Sequence, residues 1–548
     1  MIFPSIIFLL RTLYCLFLLF CLFVAPSYSQ DSTQEQRANN PDFENLEFEI
    51  TGKEFITLPP SMKHTVSDGI VFDASKVFHQ YPLRGGTILP LQFTRQDSFA
   101  KVESGFPFYS SLRMGRFGTS QIKISGGKKL ERGTTVFVRG EFESSNGNRY
   151  TETQKTDEWR ANLFLETSVA FPEDRSWLSK GIGNAQIEIS PRQYRLFGTG
   201  VPNAERKYTN ISLKTTLKPH QFFNADHTFG FSYSAFSLYD KQSKTRSEHR
   251  LIFSAQGERT LNGIPLRFYS SFAPVFVDTF SNPLLFNAGG ETDISLSQYS
   301  RLSAGLNGNI FRNGNGVLQG FFFPRFEWKF FSENYWSINA GVLPSVETHA
   351  LSSLVSKNLF LSRATPIAYS RNVETFIEGI FQVKPDWKIH SRWSYHHQRN
   401  APAFYDTANA GIWNVSYVGT TTISEWQTEG TYSLNTVQDI SGKIILRSVQ
   451  HTFFRNSNEL AYILPAELKL TYRYRFSNAL STETRTTFFK RIRPYGDIVL
   501  VDAAVFYALN EHIDGSVIFN NLFDRKYETW KNYRGERALF SVGIIGRW

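Results

Sequence analysis

The chain has 548 residues, 59 Lys and Arg against 49 Asp and Glu, a formal charge of +10, and 16% aromatic residues. Length alone allows about three or four domains, but a composition this rich in aromatics and this low in charge favours one large unit. The cations are spread along the sequence without a Lys/Arg block, which argues against a nucleic-acid arm; the balance fits a partly basic lumen and loops meeting lipopolysaccharide or anionic solutes, and equally a generally solvated basic surface.

Residues 1–29 read as a secretory signal. Arg11 supplies the early positive charge, an apolar core follows, and Ser27-Tyr28-Ser29 offers a small-x-small cleavage pattern near Ser29. The two cysteines, Cys15 and Cys21, both lie inside it. The mature chain is therefore expected to lack disulfides, thiolate nucleophiles and Cys-bound metals.

Beyond the signal no apolar run is long enough for a membrane helix, and mean hydropathy is −0.29. A membrane crossing would be made by strands, whose polar inward residues lower such an average. Residues 30–97 are polar at first and then broken by Pro59-Pro60, and are expected to form a short periplasmic segment.

From residue 98 to 548 the pattern changes to alternation with a period of two. Val136, Val138, Gly140 and Phe142 point one way and Phe137, Arg139, Glu141 and Glu143 the other. The same holds for Leu163 and Leu165 against Arg160 and Glu166, and for Leu470 and Tyr472 against Lys469 and Arg473. Segments of roughly 10 residues with one apolar and one wet face suit tilted strands crossing a bilayer. The wet-face set Arg139, Glu141, Glu143, Arg160, Glu166, Lys469 and Arg473 is expected to line a lumen, either pairing across strands or bordering a solute path.

Ten tight connections recur, among them Leu130 to Gly133, Asn262-Gly263, Asp439 to Lys443, Ser477 to Leu480 and Leu509 to His512, with longer polar loops between. Each turn joins two strands. With a first strand near Phe99 to Gly105 and a last one at the C-terminus, the expected fold is an all-β, transmembrane antiparallel barrel of about 22 strands, with short periplasmic turns and long extracellular loops. A lumen that wide is not filled by its own wall. Inward-folded loops, residues 30–97 or a separate plug or periplasmic partner are the candidates to fill it.

The final strand alternates Phe540, Val542, Ile544, Gly546 and Trp548 against Leu539, Ser541, Gly543, Ile545 and Arg547. Phe540, Val542, Ile544 and Trp548 read as a C-terminal assembly signal, with Gly546 standing where an apolar residue is more usual.

Candidate chemistry is sparse. His396-His397 is the only adjacent histidine pair, and Asp406 is its nearest candidate acid. A loop base or interface girdle is its plainer role, and no metal, cofactor or catalytic residue is assigned. The run Phe488 to Gly496 is expected on an outer loop, where Lys490, Arg491, Arg493 and Tyr495 place cations beside aromatics suited to an anionic ligand or lipopolysaccharide phosphate. Trp530, Lys531, Tyr533 and Arg534 are further outer-loop residues, with a solvated loop as the bland reading of both sets.

The run Asn521-Leu522-Phe523-Asp524-Arg525-Lys526-Tyr527, followed by a loop, an amphipathic strand and a terminal aromatic, resembles the closing hairpin of TonB-dependent receptors. The resemblance covers residues 98–548 and is specific in the last thirty or so. It implies an outer-membrane transport or receptor protein, with the barrel-assembly machinery recognising the terminal aromatic strand. The family's plug domain is about twice as long as residues 30–97. Phe48 to Gly52 and Leu83 to Gly86 only weakly match a TonB-coupling box and a plug fragment, which leaves TonB-energised uptake open. The alternative is an outer-membrane anchor or binding scaffold working with a separate partner.

Overall fold

The computed structural model describes residues 108–548 apart from short stretches in the connections, the longest being 452–463. The expected signal, residues 30–97, the coupling-box and plug matches and the strand near Phe99 to Gly105 lie outside the described residues. Among those residues 22 strands form one sheet, every pairing is antiparallel, and each strand pairs with its sequence neighbours. The ring is closed by Phe108–Gly115 against Leu539–Arg547, in register from Tyr109 opposite Arg547 to Gly115 opposite Ser541. Closure leaves no free edge, so every strand's backbone is paired on both sides.

The alternation read from the sequence assigns the two faces. Val138, Phe142, Leu163, Leu165, Leu470 and Tyr472 are exposed on one face, and Phe322 is 85% exposed there. The opposite face carries the charges and also touches loop segments folded against it, which makes it the lumen. Arg160 pairs with Glu143 at 2.6 Å, Lys469 with Glu467 at 2.9 Å and Arg473 with Glu483 at 2.8 Å. Arg139 stands 3.8 Å from Glu141, and the buried Glu166 accepts from the Gln186 amide at 2.9 Å. Similar pairs continue around the wall: Arg392 contacts Glu374 and Glu378, and His390 lies between Glu378 and Glu429.

The tight turns gather at the end of the barrel that holds Phe108 and Trp548. One expected turn is misplaced. Asp439 to Lys443 is inside the strand Gln438–His451, and the reversal falls at Thr436-Val437, where the Asn435 side chain accepts from the Val437 amide at 2.9 Å. Ser441-Gly442 has turn chemistry locally, but Gly442 is held opposite Gly430 by pairing on both sides, so sheet context overrides it.

At the closing seam, Phe108 and Trp548 exchange both backbone hydrogen bonds, at 2.8 and 2.9 Å, and their rings lie 5.6 Å apart. A Cβ on Gly546 would stand 2.2 Å from the Trp548 indole. The glycine that looked like a gap in the apolar face is the floor on which Trp548 rests.

Candidate functional site

The other end of the barrel is covered by a cap built from three long connections. The first, between Trp336–His349 and Ala368–Lys384, contains the one α-helix among the described residues, α1 (Leu351–Lys357). Leu351, Leu354 and Val355 recur at helical spacing and are buried, so α1 has one apolar face. Its N-terminus has no cap of its own: Glu248 of the barrel strand Arg246–Leu261 accepts from the Leu351 amide at 2.5 Å and from the Ser352 hydroxyl at 3.1 Å.

After α1 the chain is held by Arg206, which is 1% exposed. Its guanidinium forms a two-pronged pair with Asp240, at 2.5 and 3.0 Å, and donates to the carbonyls of Leu359 at 3.2 Å and Leu361 at 2.6 Å. The Tyr194 hydroxyl donates to the same Leu359 carbonyl, and Arg246 to that of Arg363. Wall side chains thus satisfy loop carbonyls that strand pairing cannot reach.

The second and third connections each fold into a small ribbon, Ala403–Tyr405 with Asn414–Ser416, and Glu528–Trp530 with Tyr533–Arg534. Phe360 and Trp413 are tied by a backbone bond of 2.9 Å. Phe360 stacks on Tyr533, Trp413 meets Trp530 edge to face at 4.9 Å, and the Tyr533 hydroxyl donates to the Gly411 carbonyl at 2.6 Å. Burial pushes the Tyr533 phenol above its usual pKa. Gly411 has φ +68°, and a Cβ there would lie 2.2 Å from the Gly198 carbonyl oxygen. These residues form one buried core with Leu238, Val275 and Val277 from the strand ends.

Trp530 and Tyr533 are therefore core residues of the cap and not solvated loop tips; Lys531 lies outside the described residues, and Arg534 is exposed. The Asn521 to Tyr527 run is the hinge post of the third connection. The Asn521 side chain donates to the carbonyls of Arg525 and Glu536, both at 2.9 Å, and accepts from the Arg525 amide at 2.8 Å.

Between cap and wall lies a cavity of about 270 Å³. On the wall side Arg149 and Arg192 share the Glu158 carboxylate, at 3.4 and 3.3 Å, beside the Arg160–Glu143 pair. On the cap side it is bounded by Leu359, Phe360 and Trp530, and by Lys357 at the end of α1. Lys357 is 5% exposed, and its Nζ forms a buried ion pair with the Glu347 carboxylate at 3.7 Å. Burial lowers its pKa, with Glu347 opposing that shift.

The residues singled out by the sequence are distributed differently. Phe488 to Lys490 is not loop but the end of the strand Leu480–Lys490, where Phe489 is buried opposite Ile498. The aromatic pair is long enough to continue the strand's alternation, and Lys490 is exposed at its tip; Arg491, Arg493 and Tyr495 lie outside the described residues. Lys490 is away from the cavity lining. Of the expected lumen residues, Glu143 and Arg160 border the cavity, while Arg139, Glu141, Glu166, Lys469 and Arg473 stand elsewhere on the inner face. His396 and His397 are within the strand Trp387–Arg399 and face opposite sides, His396 buried with Nε2 3.1 Å from the Ser394 hydroxyl. Asp406 accepts from the Gly411 amide at 2.9 Å. Among the described residues no group of three or more His, Cys, Asp or Glu is placed to hold a metal ion.

The sequence pattern missed Arg149, Glu158, Arg192 and Lys357. The one signal available was apolar and aromatic residues concentrated in connections too long for turns.

No family model and no curated protein matches the sequence. Solved structures do match. The siderophore receptor PiuA from Acinetobacter baumannii aligns at TM-score 0.60 and 11% identity, over 80% of this chain and 81% of its own. The FrpB iron transporter from Neisseria meningitidis aligns at TM-score 0.61 and 10% identity, over 80% and 81%. The copper transporter OprC aligns at TM-score 0.61 and 9% identity, over 80% of each chain. The chain thus has the fold of the TonB-dependent receptor barrels, a closed ring of 22 antiparallel strands.

Proposed function

We propose that this protein is an outer-membrane transport or receptor barrel that binds a solute at its loop end and passes it through the lumen. The observation that carries this reading is the cap: three connections form one core across the mouth of a wide, charge-lined barrel and leave a cavity against the wall. A barrel serving only as an anchor has no need of a polar lumen, whereas a solute path needs paired charges that are wet and exchangeable. The neighbours bearing this fold are named as siderophore, iron and copper receptors or transporters, which supports the class of activity.

In this reading the exposed apolar wall meets lipid, the capped end faces outward to lipopolysaccharide, and the turn end faces the periplasm. The closing strand with Trp548 is the part offered to the barrel-assembly machinery. TonB coupling and a separate plug or periplasmic partner are assigned to residues 30–97. The test is conductance of the purified chain in planar bilayers. Solute-dependent or blocker-sensitive current is expected, and a permanently sealed barrel that binds no solute would overturn the proposal.

A further inference from the structure

We infer that the barrel wall contains a gate: the strands Trp336–His349 and Ala368–Lys384, with α1 between them, swing from a tucked position that closes the mouth to a zipped one that opens it. The inference rests on the transport reading and says how the mouth is released. Every strand pairs on both sides, but one seam is closed over only part of its height. Leu318–Phe331 pairs with Ser300–Arg312 along its length, yet with Trp336–His349 only from Phe331 opposite Ser337 to Phe326 opposite Val342. Trp336–His349 in turn stays paired with Ala368–Lys384 up to His349 opposite Ala368. Above Val342 the two strands of the seam therefore part, each keeping its other neighbour.

The sequence at the parting supplies a cause. In the continued register Pro324 would face Pro344, and neither has the N–H that a strand paired on both sides must donate. Above this point the hairpin overlaps the inside of the wall. Tyr369 and Arg371 share the lipid side of their strand with the exposed Ile377, yet Tyr369 is 1% exposed, its ring 5.2 Å from that of Phe311, and the Arg371 guanidinium lies 3.8 Å over the Phe321 ring. Phe311 and Phe321 alternate with the exposed Ile310 and Phe322, so they belong to the lumen side. With Ala273, Leu285 and Ile252 they form an apolar patch on an otherwise charged face, and Val346 packs on the same patch. Such a patch in a wet lumen is costly unless covered, and the tucked hairpin covers it.

The zipped position is written in the same residues. Extending the register sets Val346 opposite Phe322 and Glu347 opposite Phe321, which keeps Val346 and Phe322 on the lipid side and the carboxylate in the lumen. Pairing up to His349 would draw Leu351, two residues further on, from Glu248, and α1 from the mouth with it. The tucked state gains buried apolar area and the zipped state gains backbone hydrogen bonds, less the donors that proline removes. Terms of opposite sign acting on one hairpin make a two-state element.

The experiment uses the full chain with paired cysteines and a short bifunctional thiol reagent. Phe311→Cys with Tyr369→Cys is bridged only in the tucked state, and Phe322→Cys with Val346→Cys only in the zipped one. Heat-modifiability checks that each variant is folded, and Phe321→Cys with Arg371→Cys replaces the first pair if that pair does not assemble. Both bridges are expected to form, the first protecting residues 350–367 from protease and the second exposing them. Pro324→Val with Pro344→Val, which restores two donors, should speed the second bridge by roughly tenfold, as two added backbone hydrogen bonds imply. No second bridge with or without the prolines, or equal cleavage of 350–367 in the two bridged forms, would overturn the gate. If solute-dependent conductance persists while the bridges leave cleavage equal, only the gate falls; if cleavage differs in a barrel that never conducts, the transport reading falls instead.

Discussion

At the turn end the chain reverses in a few residues and the strands simply stop, with Trp548 lying on Gly546 and against Phe108. At the loop end three connections that lie well apart in the chain interlock through Phe360, Trp413, Trp530 and Tyr533. The two ends are thus held by different physics. The wall rests on a closed ladder of local pairings between neighbours in sequence, while the cap rests on a buried apolar core and a few charged side chains reaching from the wall. Damage at the seam should therefore cost the whole barrel, whereas damage in the cap should open the mouth and leave the barrel standing.

The largest effect is expected at the seam. Trp548→Ser should reduce assembly of the barrel in the outer membrane, read as yield of the heat-modifiable form, and Gly546→Leu should do the same because its side chain would occupy the place of the indole. Unchanged yield in both would remove the distinction between the two ends.

Arg206→Leu should come next. It leaves Asp240 without its buried two-pronged partner and the carbonyls of Leu359 and Leu361 without their donor, a loss of about 3–5 kcal/mol. Protease cleavage near residues 350–367 should rise and conductance increase, with heat-modifiability retained. Gly411→Ala should loosen the cap by a further few kcal/mol at most, roughly 1–3, since the residue must hold φ +68° against the Gly198 carbonyl. It is checked by the same protease assay.

A smaller effect sharpens the comparison through pH. Burial depresses the Lys357 pKa in the closed cap, so between that lowered value and the ordinary lysine value of about 10.4 a released loop binds more protons than the closed one. Cap protection should strengthen as pH rises through this window and be flat in Lys357→Met. The smallest effect belongs to the wall: Arg473→Gln removes an ion pair whose arginine side chain is 48% exposed, and should change barrel stability by well under 1 kcal/mol. A large loss there would mean that the lumen charges are structural and not a wet path.

Alternation in segments such as 134–143 and 467–476 specified the two faces, because strand side chains report their face every second residue. The turn expected at Asp439 to Lys443 falls at Thr436-Val437 because pairing on both sides overrides the local Ser-Gly chemistry. The use of Gly546 is not legible in the sequence for a related reason: it depends on where the Trp548 ring folds back, which no periodicity records.

The amino-acid sequence by itself determined the barrel: closed, antiparallel, about 22 strands, with charges inside and apolar residues outside, because each of those properties is written in neighbouring residues. Only the tertiary structure decided the cap, the cavity and the residues that line it. Phe360 meeting Tyr533, or Lys357 and Glu158 lining one cavity, joins parts of the chain whose separation leaves no local signal, and their meeting follows only once the wall has placed the loop ends around one mouth.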